Sequence, residues 1–210
     1  MNDSRWTDAI RCRATMVVAA HRANVDQRDL VGRAQRGDHD AFARLVHPAL
    51  ARLDAAARLV VRDPELARDA VQEALIRAWR DLPGLRDPDR FDAWLHRLTI
   101  NACLDLVRRR RRRPMEVELS PLDSPAHDDP AAAVAERELI DAALARLDPG
   151  HRAVVALHYL LGMPMPMVAS SLGIPLGTAK SRLHHAIAAM RPAVAEAEVA
   201  PAAVTGGQVA

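Results

Sequence analysis

The chain has 210 residues, half of them apolar, and its 29 lysines and arginines nearly cancel 27 aspartates and glutamates to a net charge of +2. That length supports one moderate core or two small ones, and so small a net charge does not announce a nucleic-acid partner. Cys12 and Cys103 fit no ligand or disulfide spacing, no apolar run reaches the roughly 20 residues that span a bilayer, and no nucleophile, base or metal constellation is recognisable. A soluble protein of the reducing cytoplasm, with neither metal nor cofactor and no catalytic residues, is the expectation.

Residues 1–27 show no sustained period and read as an N-terminal arm. From Asp29 to Arg113 the pattern is helical, so 28–113 forms a first module. His47-Pro48 falls inside an expected helix and predicts a kink or break, because the proline ring clashes with the preceding turn. Asp63-Pro64 pairs an N-cap residue with a proline suited to the first helical position. The helix it opens carries Leu66, Val71, Leu75, Trp79 and Leu82 as an apolar stripe. Asp69, Gln72, Glu73, Ile76 and Arg80 recur at spacings of three and four on another face. This acidic, amide-bearing strip with one aliphatic suits a partner helix, or else a solvated surface.

Leu82 to Arg90, with Arg86 inside it, is a turn-rich loop between helices, a good place for a ligand pocket. The next helix turns Phe91, Trp94, Leu95, Leu98, Ala102 and Leu106 inward, and Arg97, Asn101, Asp105 and Arg108 align on another face. It runs into six consecutive arginines, Arg108 to Arg113. A like-charge block of this kind repels itself unless an anion relieves it, and phosphate backbone is the natural candidate.

Pro114, Pro121, Pro125 and Pro130, among acidic and small residues, make 114–135 a linker. Helical periodicity resumes over 136–191 as a second module, and 192–210 is a tail without pattern. Asp148-Pro149 opens a helix expected to reach Leu161, Gly162 caps it, and Pro166 leads a short helix, Val168 to Leu172, closed by a left-handed Gly173. The following helix places Leu176, Ala179, Leu183, Ala186 or Ile187, and Met190 on a buried stripe. Its opposite face carries Thr178, Lys180, Ser181, Arg182, His184 and His185. This is the helix-turn-helix arrangement, whose second helix fits the major groove; a plain three-helix bundle with a solvated basic face shares the spacing. Adjacent helical histidines point about 100° apart, so His184 and His185 make no metal site. The fold class expected is all-α, two helical domains joined by a flexible linker.

Asp69-Ala-Val-Gln-Glu-Ala-Leu-Ile-Arg-Ala-Trp-Arg80, Phe91-Asp-Ala-Trp-Leu95, Asn101-Ala-Cys-Leu-Asp-Leu-Val-Arg-Arg109 and Gly177-Thr-Ala-Lys-Ser-Arg-Leu183 resemble the extracytoplasmic-function, or group-four, sigma factors of the sigma-70 family. The resemblance implies a first domain that binds core RNA polymerase and the minus-ten promoter element, and a second that binds the minus-thirty-five element. Asp69, Gln72 and Glu73, with Ile76 and Arg80, match the strip that docks on the clamp helices of the largest polymerase subunit. The loop with Arg86 and Arg90 corresponds to the segment that captures a flipped minus-ten base, and Arg97, Asn101, Arg108 and Arg109 lie where the opened strand passes. Thr178, Lys180, Ser181, Arg182, His184 and His185 fall at the minus-thirty-five positions. Promoter DNA, core polymerase and an anti-sigma factor are the implied partners, with transcription initiation at a specific regulon as the function. Where the family usually opens the first helix of the motif with an aromatic and then an acidic residue, this chain has Met165 and Met167, which predicts a less firmly started helix. A regulator that binds DNA without polymerase is the alternative, and it leaves the Asp69 strip without a use.

Overall fold

A computed structural model describes residues 26–112 and 142–199, with side chains to Arg191. The proposed linker 114–135, nearly all of the arm 1–27 and the end of the tail lie outside these residues. Among the described residues every regular element is helical. The first module holds α1 (26–35), α2 (His39–Val46), α3 (Leu50–Val61), α4 (Pro64–Asp81) and α5 (Phe91–Arg112). The second holds α6 (142–145), α7 (Pro149–Val155), α8 (Met165–Leu172) and α9 (Leu176–Val199).

Local chemistry sets most of these boundaries. Asp38 caps α2 by accepting from the Ala41 amide at 2.9 Å, and Asp63 caps α4 by accepting from the Glu65 and Leu66 amides, both at 3.1 Å. His47-Pro48 does break a helix: a 3-10 turn over His47–Ala49 separates α2 from α3, because proline has no amide to donate and crowds the turn before it. Asp148 caps α7, accepting from the Gly150 and His151 amides at 2.7 and 3.1 Å. Gly173 ends α8 at φ +63°, the left-handed conformation that glycine adopts without steric cost.

The core differs from the apolar stripes of the sequence reading. In α4 the fully buried line is Ala67, Ala70, Ala74 and Ala78, ending at Leu82, while Leu66, Val71, Leu75 and Trp79 are only half-buried. A line of small side chains lets neighbouring helices approach closely, and the larger residues flank the contact. In α5, Phe91, Leu95 and Ala102 are buried as expected, but His96, Thr99, Ile100 and Cys103 join them, leaving Trp94, Leu98 and Leu106 half-buried. In α9, Ala179 and Ala186 are buried, Leu183, Ile187 and Met190 are half-buried, and Leu176 is exposed.

Three boundaries are corrected. The α-helix from Pro149 ends at Val155 and continues as a π-helical turn over Ala156–Leu160 rather than running α-helical to Leu161. The helix before Gly173 starts at Met165, not Val168. It has no side-chain cap, since Pro164 stands at its N-cap. Helix α9 continues to Val199, past the Met190 at which periodicity fades, so 192–199 is helix and not patternless tail. The two modules share one apolar cluster, in which Leu53, Ala56, Ala57 and Val60 of α3 meet Val154, Ala156 and Leu157.

Candidate nucleic-acid and protein interface

The alanine line of α4 faces the core, which turns the opposite face outward. Asp69, Gln72, Ile76 and Arg80 stand exposed on it, and Ile76 at 54% is a large aliphatic in open solvent among charged groups. Glu73 is half-buried and accepts from Arg77 Nε at 2.7 Å; Arg77 also reaches Asp105 of α5 at 3.7 Å. Arg80 donates to Asp81 at 2.8 Å, and that hydrogen bond holds the Asp81 carboxyl below the usual carboxylate range. The strip residues thus lie on the outward side of a helix whose other face is buried.

The loop after α4 is shaped by 3-10 turns, Leu82–Gly84 and Pro88–Arg90, and is held by α1. Gln35 donates to the carbonyls of Leu82 and Leu85 at 3.1 and 2.8 Å, and Gln27 to that of Pro88 at 3.2 Å. Arg28 pairs with Asp89, whose carboxyl its hydrogen bonds hold low, and Asp87 caps the second turn through the Asp89 amide at 3.1 Å. Arg86 and Arg90 project from this fixed frame, both exposed, with Arg90 3.2 Å from Asp87. The anchoring glutamines and Arg28 escaped sequence reasoning, since their acceptors lie 47 to 61 positions away.

On α5, Arg97 is exposed, Asn101 half-buried, and Arg108 exposed but 3.3 Å from Asp105. Arg109, Arg111 and Arg112 are exposed, while Arg110 turns back to Asp63 at 2.7 Å. Burial penalises the Asp63 charge, but the Leu66 amide and Arg110 outweigh it and lower the carboxyl below its ordinary value. One arginine of the block is therefore a structural tie between α5 and the start of α4, and its neighbours stay available. Cys103 is fully buried and its thiol is pushed up to about 12 by burial, so it is inert packing.

In the second module α8, the turn at Gly173 and α9 form the helix-turn-helix. Thr178, Lys180, Ser181, His184 and His185 are exposed on the outer face of α9. Arg182 departs from them: it is half-buried, and its guanidinium lies over Gly150, where a Cβ would sit 3.2 Å from Nη1. It braces α9 against the first turn of α7 more than it projects outward. The His184 and His185 rings are 6.0 Å apart and His185 faces His151 at 6.4 Å; among the described residues no three metal-ligating side chains converge. No described helix is long and apolar enough to cross a membrane.

Comparison with known proteins places both halves. The family described as Sigma-70 region 2 matches residues 44–113, and that described as Sigma-70, region 4 matches 137–190. The chain is 38% identical to the ECF RNA polymerase sigma factor SigL of Mycobacterium tuberculosis over 132 residues, 61% of this chain and 75% of that protein. It is 34% identical to the RNA polymerase sigma-E factor of Streptomyces avermitilis over 154 residues, 73% and 83% of the two chains. Identity to SigE of Mycolicibacterium smegmatis is 39%, over 56% of this chain and about half, 48%, of that protein. Among solved structures, CnrH in complex with the cytosolic domain of CnrY aligns with a TM-score of 0.60 at 29% identity, covering 81% of this chain and 98% of that one. The fold is shared with RpoE of Bartonella quintana, solved with the anti-sigma factor NepR, at a TM-score of 0.54 and 22% identity, over 73% and 96% of the chains.

Proposed function

The chain belongs to the extracytoplasmic-function sigma factors of the sigma-70 family, and on that premise we propose how its two modules divide the work of promoter recognition. It is a sigma factor: it binds core RNA polymerase and directs initiation at a specific set of promoters. The observation that carries the division of labour is the outward strip of α4, in which an exposed aliphatic, Ile76, sits among Asp69, Gln72, Glu73 and Arg80. An exposed aliphatic ringed by polar groups marks a docking surface, its burial contributing affinity and the charges contributing register. The partner is the clamp-helix surface of the largest polymerase subunit.

The loop Leu82 to Arg90 receives a base flipped from the minus-ten element. Flipping costs a few kcal/mol, and a loop already hydrogen-bonded to α1 spends little further entropy on ordering. Arg97 and Asn101 on α5, with Arg108 and Arg109 beyond, follow the displaced strand through its phosphates. The outer face of α9 enters the major groove of the minus-thirty-five element, Thr178, Lys180 and Ser181 leading, with His184 and His185 nearer the backbone. Arg182 reaches DNA only by leaving Gly150. The protein supplies recognition and strand capture, and phosphodiester chemistry stays with the core enzyme, so it is not itself an enzyme. It works in the cytoplasm, where polymerase and chromosome are. An anti-sigma factor that covers the strip or the DNA faces completes the proposal, in line with the RpoE structure solved with NepR.

Co-migration with purified core polymerase tests the central assignment. Wild type should form a stable complex and the double variant Asp69→Arg, Glu73→Arg should not, with unchanged helicity; equal binding by both removes the strip from the interface.

A further inference from the structure

The helix break at His47-Pro48 borders a cavity of about 300 Å³, walled otherwise by the first turns of α1, the end of α2, α3 and the start of α5. That volume lies at the lower end of the roughly 300–1,000 Å³ of small-molecule sites and far exceeds the roughly 30 Å³ that one water occupies in the liquid. Leu30, Leu45, Pro48 and Ala49 give the cavity apolar lining.

His96 of α5 also lines it and is only 7% exposed. Among the described residues none hydrogen-bonds its ring, yet no buried side-chain nitrogen or oxygen is sealed off without a partner, so the ring nitrogens open onto the cavity. Burial and Arg52 lower its pKa to about 4. At neutral pH the ring is therefore uncharged, with one N–H to donate and one nitrogen to accept. A polar group buried to this degree is costly without a partner, and the partner must come from the cavity's occupant.

Four exposed charged side chains share the lining: Arg44 and Arg52, Asp26 and Asp92. Among the described residues none of them forms an ion pair, although neighbouring surface charges do, as Arg58 with Asp54 and Arg68 with Glu65. Arg52 gives Nε and Nη2 to the Leu160 carbonyl at 3.3 and 2.9 Å and keeps Nη1; Arg44 keeps its whole guanidinium. His96 and the carboxylates do not converge as metal ligands. An anion alone would face two carboxylates and a cation alone two guanidiniums, each a like-charge cost. A ligand carrying both signs, with hydrocarbon for the apolar lining, meets all of these groups.

We propose that this cavity is a receptor site for a small aliphatic zwitterion, an amino acid in chemical class, with Arg44 and His96 taking its carboxylate, Asp26 and Asp92 its ammonium, and Leu30, Leu45 and Pro48 its side chain. The site rests on the cavity and its lining, independently of the promoter reading. Gln27 also lines it and donates to the Pro88 carbonyl, so the ligand sits one side chain away from the loop Leu82 to Arg90.

Calorimetric titration of the full chain with leucine and valine tests the site. Each is compared with its two halves: isocaproate and isoamylamine for leucine, isovalerate and isobutylamine for valine, which lack the amino group and the carboxylate respectively. At least one amino acid should bind with a Kd below about 1 mM, and its halves at least about tenfold more weakly, as loss of a charge-assisted hydrogen bond implies. Arg44→Gln and Asp92→Asn should each weaken that amino acid at least about tenfold at unchanged helicity, and the imidazole NMR signals that His96→Gln removes should shift on binding. No binding by either amino acid, halves that bind as tightly as the whole, or binding that leaves both variants and the His96 signals unchanged overturns the proposal and leaves the cavity to water. Should His96→Gln lose helicity, the two surface variants decide through affinity alone.

Discussion

The first module packs largely on itself, and the second leans on the first. Phe91, Leu53, Leu82, Leu95 and Ile100, all fully buried, come from α3, α5 and the loop between α4 and α5. The largest fully buried side chains of the second module are Leu157, Val154 and Val168, and all three belong to the cluster that includes α3. A unit of about 60 residues buries too small a share of its surface to be more than marginal alone. The difference is between a core that is complete in itself and one that is completed by its neighbour.

The comparison breaks most readily in the cores. Leu95→Ala and Leu157→Ala should each cost about 3 kcal/mol, within the usual span for buried leucines. Hydrogen exchange should separate them. Leu95→Ala should raise exchange throughout α3 to α5, and Leu157→Ala chiefly in α7 to α9; equal loss in both modules from either variant would erase the distinction. The strip should give the next effect: Asp69→Arg with Glu73→Arg should weaken core binding by at least about 100-fold, since like-charge juxtaposition costs several kcal/mol, with only a small fall in melting temperature from the lost Glu73–Arg77 pair.

A smaller effect comes from acid. His96, 7% exposed, is held neutral, its pKa lowered to about 4 by burial and by Arg52; Asp92, Asp26 and Arg44 line the same cavity. Because the folded value lies below the unfolded one, the unfolded chain binds the proton first, and stability present above about pH 6.5 is lost as pH falls toward 4. At pH 5.5 the loss should be about 1.4 kcal/mol, measurable by urea titration and absent in a folded His96→Leu variant. The smallest effects are the caps: Asp148→Ala should cost about 1 kcal/mol. Asp63→Ala should cost somewhat more, because Asp63 also holds Arg110.

Local chemistry was legible in the sequence wherever one residue decides a boundary. Asp63-Pro64, Asp148-Pro149, the break at His47-Pro48 and the turn at Gly173 all act within a few residues of themselves. The outward strip of α4 was legible too, because helical spacing places its members together. The alanine line of α4 was not, since hydropathy favours large side chains and alanine serves core and surface alike. Arg152 was still less so: an arginine between Pro149 and Val155 reads as surface, and only the approach of α3 supplies its Val60 acceptor. The extension of α9 to Val199 lies where the apolar period has faded. What escaped is what depends on partners distant in sequence.

Reconstituted transcription tests the central claim most directly. With purified core polymerase and fragments of the source genome, the protein should produce discrete start sites that core alone does not, and the Asp69→Arg, Glu73→Arg variant should produce none of them. Specific duplex binding with no protein-dependent transcripts and no complex with core would contradict the account and describe instead a regulator that acts without polymerase.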